Sequence, residues 1–198
     1  MQCSNSFEDI TGVLQEIVQK CGETVHFGIL DGGNVLYLSK VDTLEPVRMY
    51  AAIGKRLPAY GTGIGKALLS DCTYEELKQL YPDGLKLKVR LILRISEEYL
   101  LDEEGLNKVL EGEDGLDSYT SLKNYKAREM SNDHYECEES NELIRCIAKP
   151  IYKNQKVVAA ISVAVPTFRY TIEKQELIER LLNEYAVYAT QIVAFMNL

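Results

Sequence analysis

The sequence has no tryptophan, two histidines, and no apolar run long enough to cross a bilayer. It begins without a secretory h-region, and none of its five cysteines forms a CxxC pair, so we expect a reduced, cytoplasmic protein without a membrane segment. Positive charge is also in deficit, with 22 Lys and Arg against 30 Asp and Glu and a net charge of −8. Because nucleic-acid surfaces place Lys and Arg against phosphates, this chain by itself is not expected to bind DNA.

Signatures of catalysis are missing as well. The sequence contains no HExxH motif, no Ser-His-Asp order and no paired-carboxylate motif. The stretch AYGTGIGKALL (Ala59–Leu69) looks like a phosphate loop, but a Walker A loop needs Gly and Ser or Thr where Tyr60 and Ala67 stand. The dinucleotide fingerprint fails at Lys66, where its third glycine is needed. We therefore predict neither a catalytic residue nor a nucleotide cofactor.

The glycines of this loop still allow a ligand. Gly61, Gly63 and Gly65 let the backbone come close to another group, and the following helix begins with unpaired N–H groups that favour a carboxylate. The alternative is a tight turn that lets the helix pack on a sheet. The loop alone leaves both interpretations open.

Hydrophobic periodicity predicts an α+β fold with a mostly antiparallel sheet and both terminal helices on one face. The segment 85–134 shows no consistent pattern and receives no prediction. The predicted elements are a helix capped by Asn5 or Ser6 and ended by Gly22, a hairpin turning at Asp31–Asn34, a strand at Val47–Gly54, a loop at Lys55–Gly65, helices at Lys66–Ser70 and Thr73–Tyr81, strands at His134–Glu139, Leu143–Tyr152 and Lys156–Pro166, of which the last two form a hairpin turning at Lys153–Gln155, and a helix from Ile172 to about Phe195.

Two thiols and a hydroxyl are candidates for chemistry. A mid-strand cysteine such as Cys146 is typically a small buried hydrophobe, and a nucleophilic role would need a basic partner nearby. A zinc site from His134, Cys137, Cys146 and a carboxylate has no signature spacing. Ser162 lies in a very apolar strand, where it either bonds the backbone or faces a pocket.

Five ordered stretches together resemble the C-terminal effector-binding domain of the IclR (isocitrate lyase regulator) family of bacterial transcription factors. They are GETVHFGILDGGNVLYLSKV, VRMYAAIGKRLPAYGTGIGKALLS, CTYEEL, ECEESNELIRCIAKPIY and VVAAISVAVPTFRYT. The resemblance implies a GAF-like fold, a sheet flanked by helices with a small-molecule pocket on one side. Members typically sense small organic acids, often keto or hydroxy carboxylates, or aromatic catabolites.

The resemblance also implies the positions of the effector site. Backbone groups of Gly63 and Ile64 would hold a carboxylate, Ser162 and Cys146 would contact its far side, and Glu136 would accept a hydrogen bond from a hydroxyl or amide. Met49 and Ile144 would complete the pocket. The sequence departs from the family pattern with Glu136 for the usual Asp, Ala164 for a frequent second Ser, Val165 for Gly, Tyr60-Gly61 for His-Ala or His-Ser, and most of all in the segment 85–134. These departures leave the identity of the effector open.

The implied domain organisation is a linker and first helix at 1–22 and a GAF-like effector domain at 23–198, with an atypical segment at 85–134. The family's winged helix-turn-helix would precede Met1, so DNA contact is expected only through that domain. Expected partners are a small carboxylate and further copies of the chain, as a dimer or tetramer, and no cofactor or metal is expected. The alternative is a thiol redox enzyme on the same scaffold that uses Cys146.

Overall fold

A computed structural model describes residues 5–46, 52–82, 135–137, 143–196 and 198. The described residues fall into two compact units, a larger one formed by those up to Asp71 and from Tyr135 onward, and a smaller one from Cys72 to Pro82. The larger unit contains helices α1 (Asn5–Cys21), α2 (Gly63–Leu68) and α4 (Ile172–Ala194), and strands β1 (Thr24–Asp31), β2 (Asn34–Val41), β3 (Arg56–Pro58), β4 (Tyr135–Cys137), β5 (Ile144–Lys153) and β6 (Lys156–Pro166). The smaller unit contains α3 (Tyr74–Leu80).

The six strands form one sheet in the order β3-β2-β1-β6-β5-β4, and every described pairing is antiparallel. Two tight hairpins build most of it. The first turns at Gly32 and Gly33, and the second at Asn154 and Gln155, where all four residues have positive φ angles. Such turns match the right-handed twist of the strands they join. The predicted α+β fold and both predicted hairpins are confirmed.

The hydrophobic core lies between the terminal helices and one face of this sheet. Every second residue of the central strands points into it, including Val25 and Phe27 from β1 and Ile161 and Val163 from β6. Helices α1 and α4 contribute Ile10, Leu14, Ile17, Ile178, Leu182 and Val193. The prediction that both terminal helices share one face is confirmed.

Helix α2 packs on the opposite face. It contacts β1, β2, β4, β5 and β6, and its residues Gly63–Leu68 are all buried. Gly28 lies beneath it, and a Cβ built there would be in ordinary contact with Ile64 Cδ1 at 3.4 Å but only 2.9 Å from the carbonyl oxygen of Leu36, so the glycine is needed for the close pairing with β2. The sheet is therefore covered on both faces in its centre.

The third strand differs from the prediction. Of the predicted strand Val47–Gly54, residues 47–51 lie outside the described residues, and 52–54 form a turn that ends at Gly54 with φ 81°. The described strand β3 lies at Arg56–Pro58, which was predicted as a loop, because Leu57 pairs with Val35 on β2, and the part of the predicted strand at 47–51 is not tested. Pro58 is tolerated there since an edge strand does not need its N–H.

The boundaries of helices α2 and α3 were predicted to within three residues. Helix α2 begins three residues before the predicted Lys66, whereas α3 has the predicted capping box between Thr73 and Glu76. The Thr73 N–H donates to Glu76 Oε2 at 2.7 Å, and the Glu76 N–H donates to Thr73 Oγ1 at 3.2 Å. The prediction for α3 is confirmed.

A buried ion pair connects the start of the sheet to the last helix. Glu23, which is only 1% exposed, accepts two hydrogen bonds from Arg169, at 3.0 and 2.8 Å. Lys174, in the first turn of α4, lies 3.6 Å from the same carboxylate and donates to the carbonyl oxygen of Cys21 at 2.8 Å. Hydrogen bonding to Glu23 raises the pKa of Arg169. The ion pair therefore ties the start of β1 to the segment that leads into α4, which is distant from it in sequence.

Replacement of Glu23 by Gln should lower the free energy of unfolding by about 2–4 kcal/mol, because it leaves a guanidinium without its buried partner. Urea denaturation of wild type and E23Q measures this. The matched control is D31N, which breaks the exposed Asp31–Arg56 pair (2.7 Å) and should change stability by less than about 1 kcal/mol. Equal losses of stability in E23Q and D31N would contradict the stabilising role of the buried Glu23–Arg169 pair.

Candidate functional site

The start of α2 places polar backbone groups inside the protein. Thr62 caps the helix, since its Oγ1 accepts from the Gly65 N–H at 3.0 Å and its carbonyl oxygen accepts from the Lys66 N–H at 2.9 Å. The N–H groups of Gly63 and Ile64 precede the first intrahelical bond and so have no partner within the helix. Both residues are buried. The site predicted at Gly63 and Ile64 thus has the donors that a carboxylate needs.

The three glycines of this loop serve different purposes. A Cβ at Gly65 would overlap the backbone of Ala59, which the loop folds directly against the helix. A Cβ at Gly61 would meet nothing within 4 Å. The interpretation that the glycines make room for a ligand is therefore wrong for Gly65, where close packing of backbone on backbone is the reason. The tight-turn alternative applies at that position.

Replacement of Gly65 by Ala should destabilise the protein by about 2–3 kcal/mol, because the backbone of Ala59 would have to move. G61A, four residues earlier in the same loop, should stay within about 0.5 kcal/mol of wild type. Thermal unfolding of the two variants compares them directly. A G65A variant with the stability of wild type would show that the loop does not fold against the helix as described.

The sheet face under α2 carries three of the other predicted site residues. In the register, Cys146 lies opposite Ala164, and Ser162 lies opposite both His26 and Ala148, while Ile144 pairs with Pro166. Directly opposite residues of antiparallel strands share a face. Ile144, Cys146 and Ser162 are buried. The structure therefore brings these three to the face on which α2 packs.

The structure does not test the remaining two predicted positions. Met49 lies outside the described residues. The backbone of Glu136 lies opposite Ile147, whose side chain belongs to the core under the terminal helices, whereas Cys137 lies opposite Cys146. The roles assigned to Met49 and Glu136 stay predictions.

Two buried polar side chains were missed by sequence reasoning. Lys66 is fully buried in α2 and engages in interactions there, although the apolar run that follows it suggested an ordinary helix residue. His26 lies in β1, 1% exposed, and its Nε2 has no hydrogen-bond partner within the described structure. Its ring contacts Tyr37 edge-on, with centroids 5.4 Å apart. The alternation of β1 could have revealed His26, because His26 and Gly28 lie on the same face.

His26 is kept neutral by its surroundings. Burial is the main cause that lowers its pKa from 6.5 to about 4, and the ammonium of Lys40 adds to the effect while Asp42 opposes it. Lys40 lies opposite His26 on β2 and forms an ion pair with Asp42 at 2.8 Å. At neutral pH the side chain is therefore an uncharged imidazole, able to donate or accept a hydrogen bond.

Stability should depend on pH through His26. The unfolded chain takes up a proton on this residue below about pH 6.5 and the folded chain only near pH 4, so stability falls as the pH drops through this window and is unaffected above it. Relative to the H26L variant, wild type should lose about 2 kcal/mol between pH 7 and pH 5. Urea denaturation at both pH values tests this, and parallel pH profiles would refute it.

A metal centre finds no support in the described part of the chain. Among those residues, no three His, Cys, Asp or Glu side chains are grouped so that they could hold a metal ion. His134 and the side chain of Cys137 lie outside what the structure describes, so the zinc alternative stays a prediction.

The sequence matches one family model over most of its length. Residues 4–111 and 125–191 match the model of the bacterial transcriptional regulator IclR C-terminal domain. The chain belongs to the IclR family. Its α+β, GAF-like fold and its place as the effector-binding C-terminal domain of such regulators follow from this match and from the solved structures below.

Relatives in this family are transcriptional regulators. The chain is 33% identical over 170 residues to the HTH-type transcriptional regulator KdgR of Escherichia coli, covering 85% of this chain and 57% of that protein. It is 31% identical over 170 residues to BhcR of Paracoccus denitrificans, covering 85% and 53%. The chain thus spans little more than half the length of these relatives. Because they are regulators and not enzymes, the prediction that this chain is not an enzyme is confirmed, and the redox-enzyme alternative loses its basis.

Solved IclR structures share the fold. The C-terminal domain of E. coli KdgR superposes with a TM-score of 0.70 at 24% identity, covering 96% of this chain and 99% of that one. The Thermotoga maritima IclR gives a TM-score of 0.74 at 24% identity, covering 96% and 69%. Across the described helices, none is long and apolar enough to span a bilayer.

Proposed function

We propose that this domain senses a small organic acid in the cytoplasm and that binding of the acid modulates DNA binding by an N-terminal helix-turn-helix domain. The observation that carries the proposal is the buried start of α2, where the N–H groups of Gly63 and Ile64 lack helical partners. Backbone N–H groups at a helix start favour anionic oxygens. A carboxylate bound there would satisfy both donors.

The residues of the sheet face under α2 also favour a small ligand. Ser162 offers a hydroxyl and Cys146 a weakly polar thiol, each buried on the sheet face that α2 covers. Ile144 and Ala164 next to Cys146 add apolar surface. A site with one anion-binding end and a mostly apolar wall fits a small carboxylate better than a nucleotide or a metal ion.

Regulation would act through assembly and through the DNA-binding domain. Relatives of this chain carry the description HTH-type, and they are nearly twice as long as the matched segment. Self-association as a dimer or tetramer is part of the proposal. It is supported by apolar side chains that remain exposed on α4, among them Val187 and Tyr188.

A screen by thermal unfolding tests the sensing function. We expect at least one acid from a panel of acetate, propionate, glycolate, lactate, pyruvate, malate, gluconate and benzoate to raise Tm. At a concentration of about 100 Kd the gain is about 2.7 kcal/mol, or roughly 5–10 °C for a chain of this size. The primary amide of the same acid should give no shift, because it lacks the charge that the start of α2 favours.

The variants S162A and T11A separate specific binding from general stabilisation. S162A should weaken binding of the active acid about tenfold, because it removes one hydrogen-bonding group. T11A is the control, since Thr11 on α1 bonds Ser39 on the far side of the sheet, at 3.0 Å. The proposal fails if no acid in the panel raises Tm, or if acid and amide act equally.

A further inference from the structure

Two cysteines lie directly opposite each other at the end of the described sheet. The backbone of Cys137 on β4 pairs with that of Cys146 on β5. Directly paired residues of antiparallel strands have Cα atoms about 4.5 or 5.5 Å apart, depending on whether they exchange hydrogen bonds, and they share a face of the sheet. Disulfides join Cα atoms that are about 4.4–6.8 Å apart. The register therefore sets these two cysteines within the distance that a disulfide spans.

A disulfide between these two positions would be under strain. Paired residues usually have Cβ atoms about 4.5–5.5 Å apart, whereas disulfides need about 3.5–4.5 Å, so the bond would draw β4 toward β5. Strained disulfides are reduced more readily than structural ones, and they form the labile and regulatory class. The cross-strand position thus favours a bond that forms under oxidation and is reversed by thiols.

Access to Cys146 depends on β4. Cys146 is reduced in the structure and only 6% exposed, so its thiol is shielded while the sheet is closed. Strand β4 has three residues, and within the described sheet it pairs with β5 alone. So short a strand at the end of a sheet opens at a lower free energy than the central strands do. We expect a small oxidant such as hydrogen peroxide to reach the two cysteines through this opening.

We propose that Cys137 and Cys146 are a redox modification site, at which hydrogen peroxide forms a reversible cross-strand disulfide. In the first step a thiolate attacks one peroxide oxygen and the O–O bond breaks, which gives a sulfenic acid and one water. In the second step the other thiolate displaces hydroxide from that sulfur, the S–S bond forms, and the hydroxide takes up a proton. The two thiols lose two electrons and two protons, and the peroxide is reduced to two waters. Each chain reacts once, so the site is a switch and not an enzyme.

The disulfide would alter the side of the sheet that α2 covers. Cys146 packs with Ile144 and Ala164, and α2 contacts both β4 and β5. A thiol committed to a disulfide can no longer contact a ligand as a thiol. This step rests on the proposed sensing function, from which weaker binding of the acid after oxidation follows. The disulfide would then couple oxidation to the affinity of the domain for its effector.

Peptide mapping of the whole chain tests for the disulfide. Protein treated with hydrogen peroxide is unfolded in an alkylating agent without reductant and digested with trypsin, which cuts after Arg145 and so separates the two cysteines. We expect the peptides 129–145 and 146–153 to be recovered linked, and dithiothreitol to release them. C137S and C146S should each lose the link and leave a sulfenic acid on the remaining cysteine, which dimedone labels.

Cys72 and Cys21 supply the controls. C72S, which is altered outside the pair, should form the link as wild type does. Cys21 is buried in α1, where burial raises the pKa of its thiol, so it should react only when the protein unfolds. Oxidation of Cys21 at the same rate as the pair would show that peroxide acts on unfolded protein, which would refute a site in the folded domain.

The outcomes separate this proposal from the sensing function. If peroxide links other cysteines, oxidises a single cysteine irreversibly, or leaves 129–145 and 146–153 unlinked, the redox site is refuted whatever the acids do. If the link forms and an acid raises Tm, the affinity for that acid should fall about tenfold on oxidation and recover with dithiothreitol, and an unchanged affinity would refute the coupling. If no acid raises Tm, the sensing function fails, while the linked peptide still supports the redox site.

Discussion

The structure depends on the alternation of two central strands, β1 and β6, that are buried on both faces. One set of side chains, including Phe27 and Val163, completes the core under α1 and α4, and the other set, including His26 and Ser162, lies under α2. Because the side-chain period of a strand is two, a slip of one residue would exchange the two sets. The register between β1 and β6 therefore determines both the stability of the core and the composition of the site.

The two faces are built by different physical rules. The face under the terminal helices is filled with large aliphatic side chains, and its stability comes from burial of apolar area. The face under α2 is lined by small residues such as Gly28, Ala160 and Ala164, so that a short helix can lie close to the strands. A short helix held this closely positions its first N–H groups inside the protein.

The elements with strong periodicity were predictable from sequence, and the site only in part. Amphipathic stripes predict helices α1 and α4, and turn residues predict the two hairpins. Strand β3 was not predicted, because its three residues, which end in Pro58, show no hydrophobic period and form a strand only through pairing with β2. Gly63, Ile64, Cys146 and Ser162 were assigned to the site through the resemblance to family motifs, and their roles stay predictions. His26 and Lys66 were missed because polar residues in apolar surroundings are ordinarily assigned to the surface, and only the fold shows that both are buried.

These two buried polar residues stand at positions where an apolar side chain would avoid the cost of burying a polar group. A leucine at position 26 would satisfy the packing of β1 without an unpaired nitrogen, and an uncharged residue at position 66 would avoid desolvation of an ammonium. Departures from such local rules are expected at functional sites, where their cost is offset by binding. Both departures lie on α2 or on the strand face beneath it, and neither lies in the core under α1 and α4. The location of these two residues, and not only the family motifs, is therefore consistent with the proposal of an effector site on that side of the sheet.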